Sequence, residues 1–201
     1  MSTIYLLRHG EILTTVPRRF IGQSDLEMTA QGHEQVENLG SYLMDCSLER
    51  VVSSPLLRCR QSARIIGSAV GCIPEVVDEL SEIALGAWEG LTVADVQQQY
   101  PGEYEARGKD MTGYRPPAGE SFADLLQRVW PAFIEVMEAE NERTAVVSHA
   151  GVNRVLLCHL LGMPLAHLFR LGQDYGCINV VHNDKGKYRV ECINRTVNVI
   201  V

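Results

Sequence analysis

Three short apolar runs, each of which stops at a polar or charged residue, constrain the fold of this chain most. They lie at residues 3–7, 50–54 and 143–148, and each contains β-branched side chains. Runs of this length and type are typical of strands that are buried inside a parallel sheet. Helical patterns lie between them, at about 29–46 and 57–70. This alternation of strands and helices predicts a layered α/β fold.

The remaining patterns predict a further strand, two more helices and a carboxyl-terminal hairpin. A short strand is expected at 75–77, and a helix capped by Ser121 should follow, with a kink or break at Pro131. Another helix is predicted over about 151–161, and an antiparallel hairpin should turn at residues 184–186. The apolar face of the first predicted helix comprises Val36, Leu39, Leu43 and Met44.

The stretch 84–118 differs from the rest of the chain because it is rich in glycine, proline and tyrosine. It contains only one short helical pattern, at 92–100. We therefore expect it to pass over the sheet as an excursion. Since the sequence contains no repeat and no linker to a second domain, residues 1–201 are predicted to form a single domain.

Composition argues against several classes of protein. Hydrophobic residues make up 46% of the chain and charged residues 21%, which is typical of a globular domain. No apolar run approaches the roughly 18 residues that are needed to span a bilayer, so a membrane protein is not expected. A net charge of −7 argues against non-specific binding to nucleic acid, because the nucleic-acid backbone is itself anionic.

The sequence shows neither an export signal nor a cysteine pattern typical of a metal site. The start, MSTIYLLRHG, has no basic leader, and the six cysteines are far apart with no CxxC pair. Thiols of this kind are typical of a reducing compartment. We therefore expect a cytoplasmic location and no metal site.

Four cationic or titratable side chains should meet at the carboxyl edge of the sheet. Arg8 and His9 follow the first apolar run, and Arg58 comes shortly after the second. His149 follows the third run. Ligands bind beyond the carboxyl ends of strands in open α/β sheets. Cations that lie together lose hydration and repel one another, so an anion is expected between them. Two guanidinium groups and two imidazoles fit the oxygens of a phosphoryl group.

Histidine suits the role of nucleophile in such a site. An ordinary imidazole has a pKa of about 6.5, so a neutral ring nitrogen is available at pH 7. Attack on phosphorus divides one difficult displacement into two easier steps through an N-phosphoryl adduct. The leaving alkoxide still needs a proton. Glu82 is the leading candidate for the donor, with Glu79 and Glu89 as alternatives.

These residues lie in four ordered motifs that resemble the histidine phosphatase superfamily, the phosphoglycerate-mutase-like group. The first motif begins with Arg8-His9-Gly10-Glu11 and continues with Arg19, Gly22, Asp25, Met28, Thr29 and Gly32. The second covers residues 54–63 (SPLLRCRQSA), the third 82–90 and the fourth 148–152 (SHAGV). One RHG triplet is a weak signal, whereas four motifs in order across most of the chain are specific.

The resemblance implies a fold, a mechanism and a catalytic set. The implied fold is a three-layer α/β/α sandwich in which residues 84–118 cover the site. In the implied mechanism His9 is phosphorylated and Glu82 donates the proton, with no metal or organic cofactor. The phosphoryl oxygens would be held by Arg8, Arg58 and His149.

The expected substrate-binding residues extend beyond this catalytic set. They are Arg8, Thr15, Arg19, Gly22, Gln23, Arg58 and His149. Thr15 stands where many members of the family carry an asparagine that contacts phosphate, and its hydroxyl can still donate a hydrogen bond. Further residues expected near the entrance are Tyr100, Tyr104, Arg107, Tyr114 and Arg115. Trp88 is expected to be a packing anchor and His159 a core histidine.

Three functions are compatible with the sequence, and a phosphatase is favoured. The chain is shorter than typical cofactor-dependent phosphoglycerate mutases, and residues 116–121 (PPAGES) resemble the phosphatase branch. A non-catalytic phosphate-binding module would not need Glu82. Residues 19–32 and 116–121 resemble the α-ribazole-5′-phosphate phosphatases in particular. The expected partner is a small phosphorylated metabolite, and a homodimer is kept as an alternative to a monomer.

Overall fold

A six-stranded sheet with helices on both faces forms the centre of the molecule. The structure, a computed structural model, describes residues 2–139 and 143–197. The strands are β1 (Ser2–Arg8), β2 (Arg50–Ser53), β3 (Glu75–Val76), β4 (Arg143–Ser148), β5 (Ile178–Asp184) and β6 (Lys187–Arg195). The α-helices are α1 (Ala30–Met44), α2 (Leu57–Val70), α3 (Val93–Gln99), α4 (Glu103–Lys109), α5 (Phe122–Glu138) and α6 (Ala150–Leu160).

The strand order is β3-β2-β4-β1-β5-β6, with the first four strands parallel to one another. In the register Arg8 lies opposite Ser148, and Ser53 lies opposite Val147. The carboxyl ends of β1, β2 and β4 therefore lie side by side at one edge of the sheet. The hairpin of β5 and β6 continues the sheet, with β5 antiparallel to β1. The predicted hairpin is thus confirmed.

Two apolar cores, one on each face of the sheet, give the three-layer arrangement that the motifs implied. Ile4 and Leu6 of β1 lie in the core that includes α5 and α6, whereas Leu7 lies in the core that includes α1 and α2. This division follows from the alternation of side chains along a strand. The three-layer α/β/α prediction is confirmed. Met44, which was expected in the core, is 61% exposed because α1 ends there, beyond its last buried residue, Leu43.

Local signals in the sequence predict the helix ends well. Helix α2 ends at Gly71, whose φ of +76° is the left-handed conformation that glycine favours. Helix α5 begins with a reciprocal capping box between Ser121 and Asp124. Of the kink or break expected at Pro131, the break was wrong, since α5 continues to Glu138, and the kink stays a prediction. Residues on both sides of the proline, among them Phe133, are buried, and this burial offsets the missing N–H bond.

The excursion 84–118 carries the short helices α3 and α4, and its base is held by Trp88. The Trp88 side chain is fully buried, and its ring lies 5.2 Å from that of Phe20 and 5.4 Å from that of Tyr114. Its prediction as a packing anchor is confirmed. Within the described part of the chain, every helix is too short or too polar to cross a lipid bilayer.

Candidate active site

The carboxyl edge of the sheet opens into a cavity of about 730 Å³. Arg8, His9, Arg58 and Glu82 all line it, although they come from three separate segments of the chain. The convergence that the strand ends predicted therefore occurs for Arg8, His9 and Arg58, and Glu82 lies with them, whereas His149 does not line the cavity. Three of these four lining residues are buried, which places their charges and lone pairs in surroundings where electrostatic interactions are stronger than in water.

His9 is oriented for attack through one ring nitrogen. Its ring is only 3% exposed, and Nδ1 lies 2.8 Å from the carbonyl oxygen of Gly10. Because a carbonyl oxygen only accepts, Nδ1 carries the proton and Nε2 keeps its lone pair. Burial lowers the pKa of His9 well below 6.5, and the positive charges of Arg58 and Arg8 lower it further. The imidazole is therefore neutral at pH 7.

Arg8 is held by a loop that the sequence did not indicate as functional. Its guanidinium carbon lies 3.7 Å from the ring centroid of Tyr175, and Nη1 donates to the Gln173 carbonyl at 2.5 Å. The side chain of Gln173 is fixed in turn by amide hydrogen bonds with Asn153 and Asn179. The polar run 172–175, directly before the predicted hairpin, was the available signal for this loop.

Arg58 enters the cavity from the first turn of α2 and is fully buried. Its two terminal nitrogens donate to the carbonyl oxygens of Gly22 and Ser24, each at 2.7 Å. The N–H of Gly22 donates at 2.8 Å to Glu89, whose carboxylate also binds Ser24. The loop around Gly22 therefore positions Arg58. Gly22 itself does not line the cavity, and its expected role in substrate binding stays a prediction.

His149 does not line the cavity but lies next to His9 and Arg58, which do. Its ring is completely buried, with its centroid 5.3 Å from that of His9. Nδ1 accepts a hydrogen bond from Arg58 Nε at 3.3 Å, so Nε2 carries the proton and donates to Ser54 Oγ at 2.7 Å. Both ring nitrogens are therefore occupied. In this arrangement His149 contacts Arg58, and its expected contact with the phosphoryl group stays a prediction.

Burial also keeps His149 uncharged. It lowers the pKa of the imidazole well below 6.5, and the charges of Arg58, His9 and Arg8 act in the same direction. Two neutral imidazoles therefore lie beside two guanidinium groups. The net positive charge of this part of the site comes from the arginines alone.

Glu82 lies on the opposite wall and is 8% exposed. Its Oε1 accepts from the N–H of Ile83 and its Oε2 from the N–H of Gly151, both at 2.9 Å. Of the three candidate acids, only Glu82 lines the cavity. Glu79 is exposed, and Glu89 is bound to the loop at Gly22. The geometry therefore selects Glu82 from the alternatives that the sequence left open.

Thr15 and Gln23, which were expected to bind substrate, do not line the cavity in this structure. The exposed Thr15 hydroxyl donates to the Pro17 carbonyl at 3.1 Å, within its own loop, and Thr14 lines the cavity instead. Gln23 donates at 2.9 Å to the backbone carbonyl of Glu82 and so supports that residue from outside. Arg19 does line the cavity, and its Nη1 donates to Gly90 at 2.7 Å.

Among the expected entrance residues, Arg107 alone lines the cavity. Tyr114 donates to Glu103 at 2.6 Å, and Arg115 forms an ion pair with Asp124. His159 is exposed, with its ring 4.2 Å from that of Trp130, so its prediction as a core histidine was wrong. Lining residues that the sequence did not suggest include Arg18, Arg154, Phe169 and Tyr175.

Comparison with known proteins agrees with this site. A model of the histidine phosphatase superfamily (branch 1) matches residues 4–196. The chain belongs to this superfamily. The adenosylcobalamin/alpha-ribazole phosphatase of Escherichia coli is 31% identical over 179 residues, or 89% of this chain and 88% of that protein. An Erwinia tasmaniensis protein named "Probable phosphoglycerate mutase GpmB" is 33% identical over 165 residues, or 82% of this chain and 77% of that protein.

Solved structures of other histidine phosphatases superpose on nearly the whole chain. The alpha-ribazole phosphatase of Shigella flexneri gives a TM-score of 0.88 at 29% identity and covers 98% of both chains. A mycobacterial glucosyl-3-phosphoglycerate phosphatase gives 0.86 at 28% identity, covering 98% of this chain and 100% of the other. This histidine phosphatase is therefore an enzyme of the phosphatase type. Its relatives act on chemically different esters.

Proposed function

We propose that this histidine phosphatase hydrolyses phosphate monoesters of small molecules, without a metal ion, through a phosphohistidine at His9. The observation that carries the proposal is the orientation of the His9 ring. Nδ1 is engaged by the Gly10 carbonyl, and the neutral ring presents Nε2 in a cavity lined by Arg8 and Arg58. The guanidinium groups supply the positive charge that stabilises the phosphoryl oxygens in the transition state.

The first step transfers the phosphoryl group to the enzyme. His9 Nε2 forms a bond to phosphorus as the bond between phosphorus and the ester oxygen breaks, and the leaving alkoxide takes a proton from Glu82. In the second step a water molecule attacks phosphorus and gives its proton to the Glu82 carboxylate. The N–P bond breaks, inorganic phosphate is released, and both residues return to their starting states.

α-Ribazole-5′-phosphate is one candidate substrate, supported by the names of the relatives from Escherichia coli and Shigella flexneri. A phosphoglycerate mutase is the second candidate, because one relative at 33% identity carries that name. The same phosphohistidine serves both reactions, which differ in whether water or a second ester accepts the phosphoryl group. Six unpaired thiols support a cytoplasmic location.

Rapid-quench labelling tests the proposed function. The enzyme is mixed with ³²P-labelled ester in EDTA, quenched at alkaline pH where phosphoramidates survive, and digested for peptide mapping. Label should appear on the peptide that contains His9 and then decay as inorganic phosphate is released. The His9→Gln variant should lose the label and at least about a thousandfold in kcat. His33→Asn is a control, since His33 lies on α1 away from the cavity.

Each contrary result has a clear meaning. Turnover of His9→Gln at a wild-type rate would remove His9 as the nucleophile. Transfer of label to a second phosphoglycerate in preference to water would favour the mutase. Phosphate binding without turnover of any ester would favour the non-catalytic module.

A further inference from the structure

The cavity holds more positive charge than one phosphoryl group neutralises. Six arginines line it: Arg8, Arg18, Arg19, Arg58, Arg107 and Arg154. Only two carboxylates, Glu82 and Asp174, line it with them. Arg19 also pairs with Asp95 at 4.0 Å, outside the lining, which leaves an excess of about three charges. A phosphate monoester dianion offsets two of them. An excess of about one positive charge therefore remains when the substrate's phosphate is in place, and like charges in a partly desolvated cavity repel one another.

Two of the remaining arginines are brought together by one aromatic ring. Phe169, which is 53% exposed, has the guanidinium carbon of Arg154 at 5.3 Å from its centroid and that of Arg107 at 5.8 Å. Arg107 comes from α4 in the excursion, whereas Arg154 comes from α6 beside the sheet. The ring therefore gathers cations from two distant segments at the same wall of the cavity.

Among residues 2–139 and 143–197, neither guanidinium forms an ion pair within 4 Å. Nε of Arg154 donates to the Leu171 carbonyl at 2.9 Å, which leaves its terminal nitrogens for other acceptors. Arg107 contacts the rings of Phe122 and Phe169. Burial lowers the pKa of both groups, and the charge of Arg8 lowers that of Arg154 further, although the more distant charges of Glu82 and Asp174 act on Arg154 in the opposite direction and raise its pKa. Partly buried guanidinium groups in this state are sites for an anion.

We propose that the preferred substrates of this enzyme carry a second anionic group, which binds Arg107 and Arg154 while the phosphomonoester faces His9. The inference rests on the proposed phosphatase activity and narrows its substrate class. Esters that bear a carboxylate or a second phosphate should have a higher kcat/KM than esters in which the reacting phosphate is the only charged group. α-Ribazole-5′-phosphate, whose phosphate is its only anionic group, belongs to the second class.

Matched pairs of esters test the proposal. The first pair is 3-phosphoglycerate and glycerol 3-phosphate, and the second is 6-phosphogluconate and glucitol 6-phosphate. In both, a carboxylate replaces a hydroxymethyl group, across a short and a long carbon chain. A third pair, glucose 1,6-bisphosphate and glucose 6-phosphate, tests a second phosphate. Hydrolysis of p-nitrophenyl phosphate shows whether the enzyme is active as a phosphatase. The kcat/KM for α-ribazole-5′-phosphate is compared with that of the best ester of each class.

The measured quantity is the ratio of kcat/KM between the two members of a pair. For at least one pair the wild type should favour the more anionic member by about tenfold or more, as charge-assisted hydrogen bonds require. Arg107→Gln and Arg154→Gln should each lower that ratio by about three- to tenfold. Arg170→Gln is the matched control, because Arg170 lies next to Phe169 but is exposed and outside the cavity lining.

Ratios near one for all three pairs in the wild type would overturn the proposal while p-nitrophenyl phosphate turnover leaves the phosphatase intact. A ratio that Arg107→Gln and Arg154→Gln leave unchanged would also overturn it, because the second group would then bind elsewhere. Failure to hydrolyse any ester, p-nitrophenyl phosphate included, would remove the phosphatase activity and this substrate class together.

Discussion

The backbone N–H of Gly151 donates to Oε2 of Glu82 at 2.9 Å, and a Cβ at position 151 would overlap the same carboxylate. The acid is therefore held by the first turn of α6, directly after β4. Ile83 donates to the other carboxylate oxygen at 2.9 Å. Glycine at 151 is thus required by the close approach of Glu82 and not by the backbone conformation.

Gly151→Ala should displace Glu82 and slow the enzyme without unfolding it. We expect kcat/KM for an alkyl phosphate to fall about a hundredfold, because general acid catalysis depends on position. Stability should fall by about 1–3 kcal/mol from overpacking. Steady-state kinetics and urea denaturation measure the two effects. Gly108→Ala is the control, since a Cβ on Gly108 in α4 meets open space; similar kinetics for both variants would contradict the steric argument.

Glu82→Gln should discriminate between leaving groups. An alkoxide needs a proton as it departs, whereas p-nitrophenolate leaves without one, so the alkyl ester should be slowed by about 10²- to 10⁴-fold and the aryl ester far less. The comparison is made on one preparation, with kcat for glycerol 3-phosphate and p-nitrophenyl phosphate. Equal slowing of the two esters would show that another group is the acid.

The two buried imidazoles should make stability fall as the pH decreases below 6.5. The pKa values of His9 and His149 are lowered in the folded state, so in this range the unfolded chain binds protons that the folded chain does not. Stability is thus full above pH 6.5 and is lost towards acid, by up to about 1.4 kcal/mol per pH unit for each ring. His149→Asn should remove one such contribution from the pH slope in urea denaturation between pH 7.5 and 5.5. An unchanged slope would mean that folding does not lower the pKa of His149.

Tyr175 should act as a positioning residue for Arg8 through its ring. Replacement by leucine removes the cation–π contact at 3.7 Å, and we expect the inhibition constant of inorganic phosphate to rise by about three- to tenfold. Tyr175→Phe keeps the ring and should restore binding to within about twofold. If phenylalanine and leucine weaken phosphate binding equally, the contact depends on the hydroxyl and not on the ring.

The positions of the main site residues follow from the sequence because strands impose them. Arg8 and His9 end one buried run and Arg58 follows another, and parallel strands bring such ends to one edge. The same reasoning could have predicted that Arg154 lies at the site. It lies three residues after Gly151 on α6, and residues with this spacing share a helical face.

The sequence does not predict which way a side chain points within a loop. Loops have no period, so nothing in the pattern around residue 15 indicates that Thr14 lines the cavity while Thr15 bonds to its own loop. Likewise, His149 was placed correctly at a strand end, but its ring faces Ser54 and Arg58. Hydrogen-bond partners from other segments decide such orientations.

The sequence by itself determined the layered α/β fold and the edge where Arg8, His9 and Arg58 meet, because periodicity, strand ends and capping are local properties of the chain. Only the tertiary structure decided that Tyr175 covers Arg8, that Gly22 holds Arg58, and that Phe169 gathers Arg107 and Arg154. The contact between Arg8 and Tyr175 joins residues 167 positions apart, and the neighbouring hydrogen bond from Arg8 to Gln173 spans 165 positions. Contacts over such separations leave no periodic trace in the sequence, since they depend on how the finished layers place one loop against another.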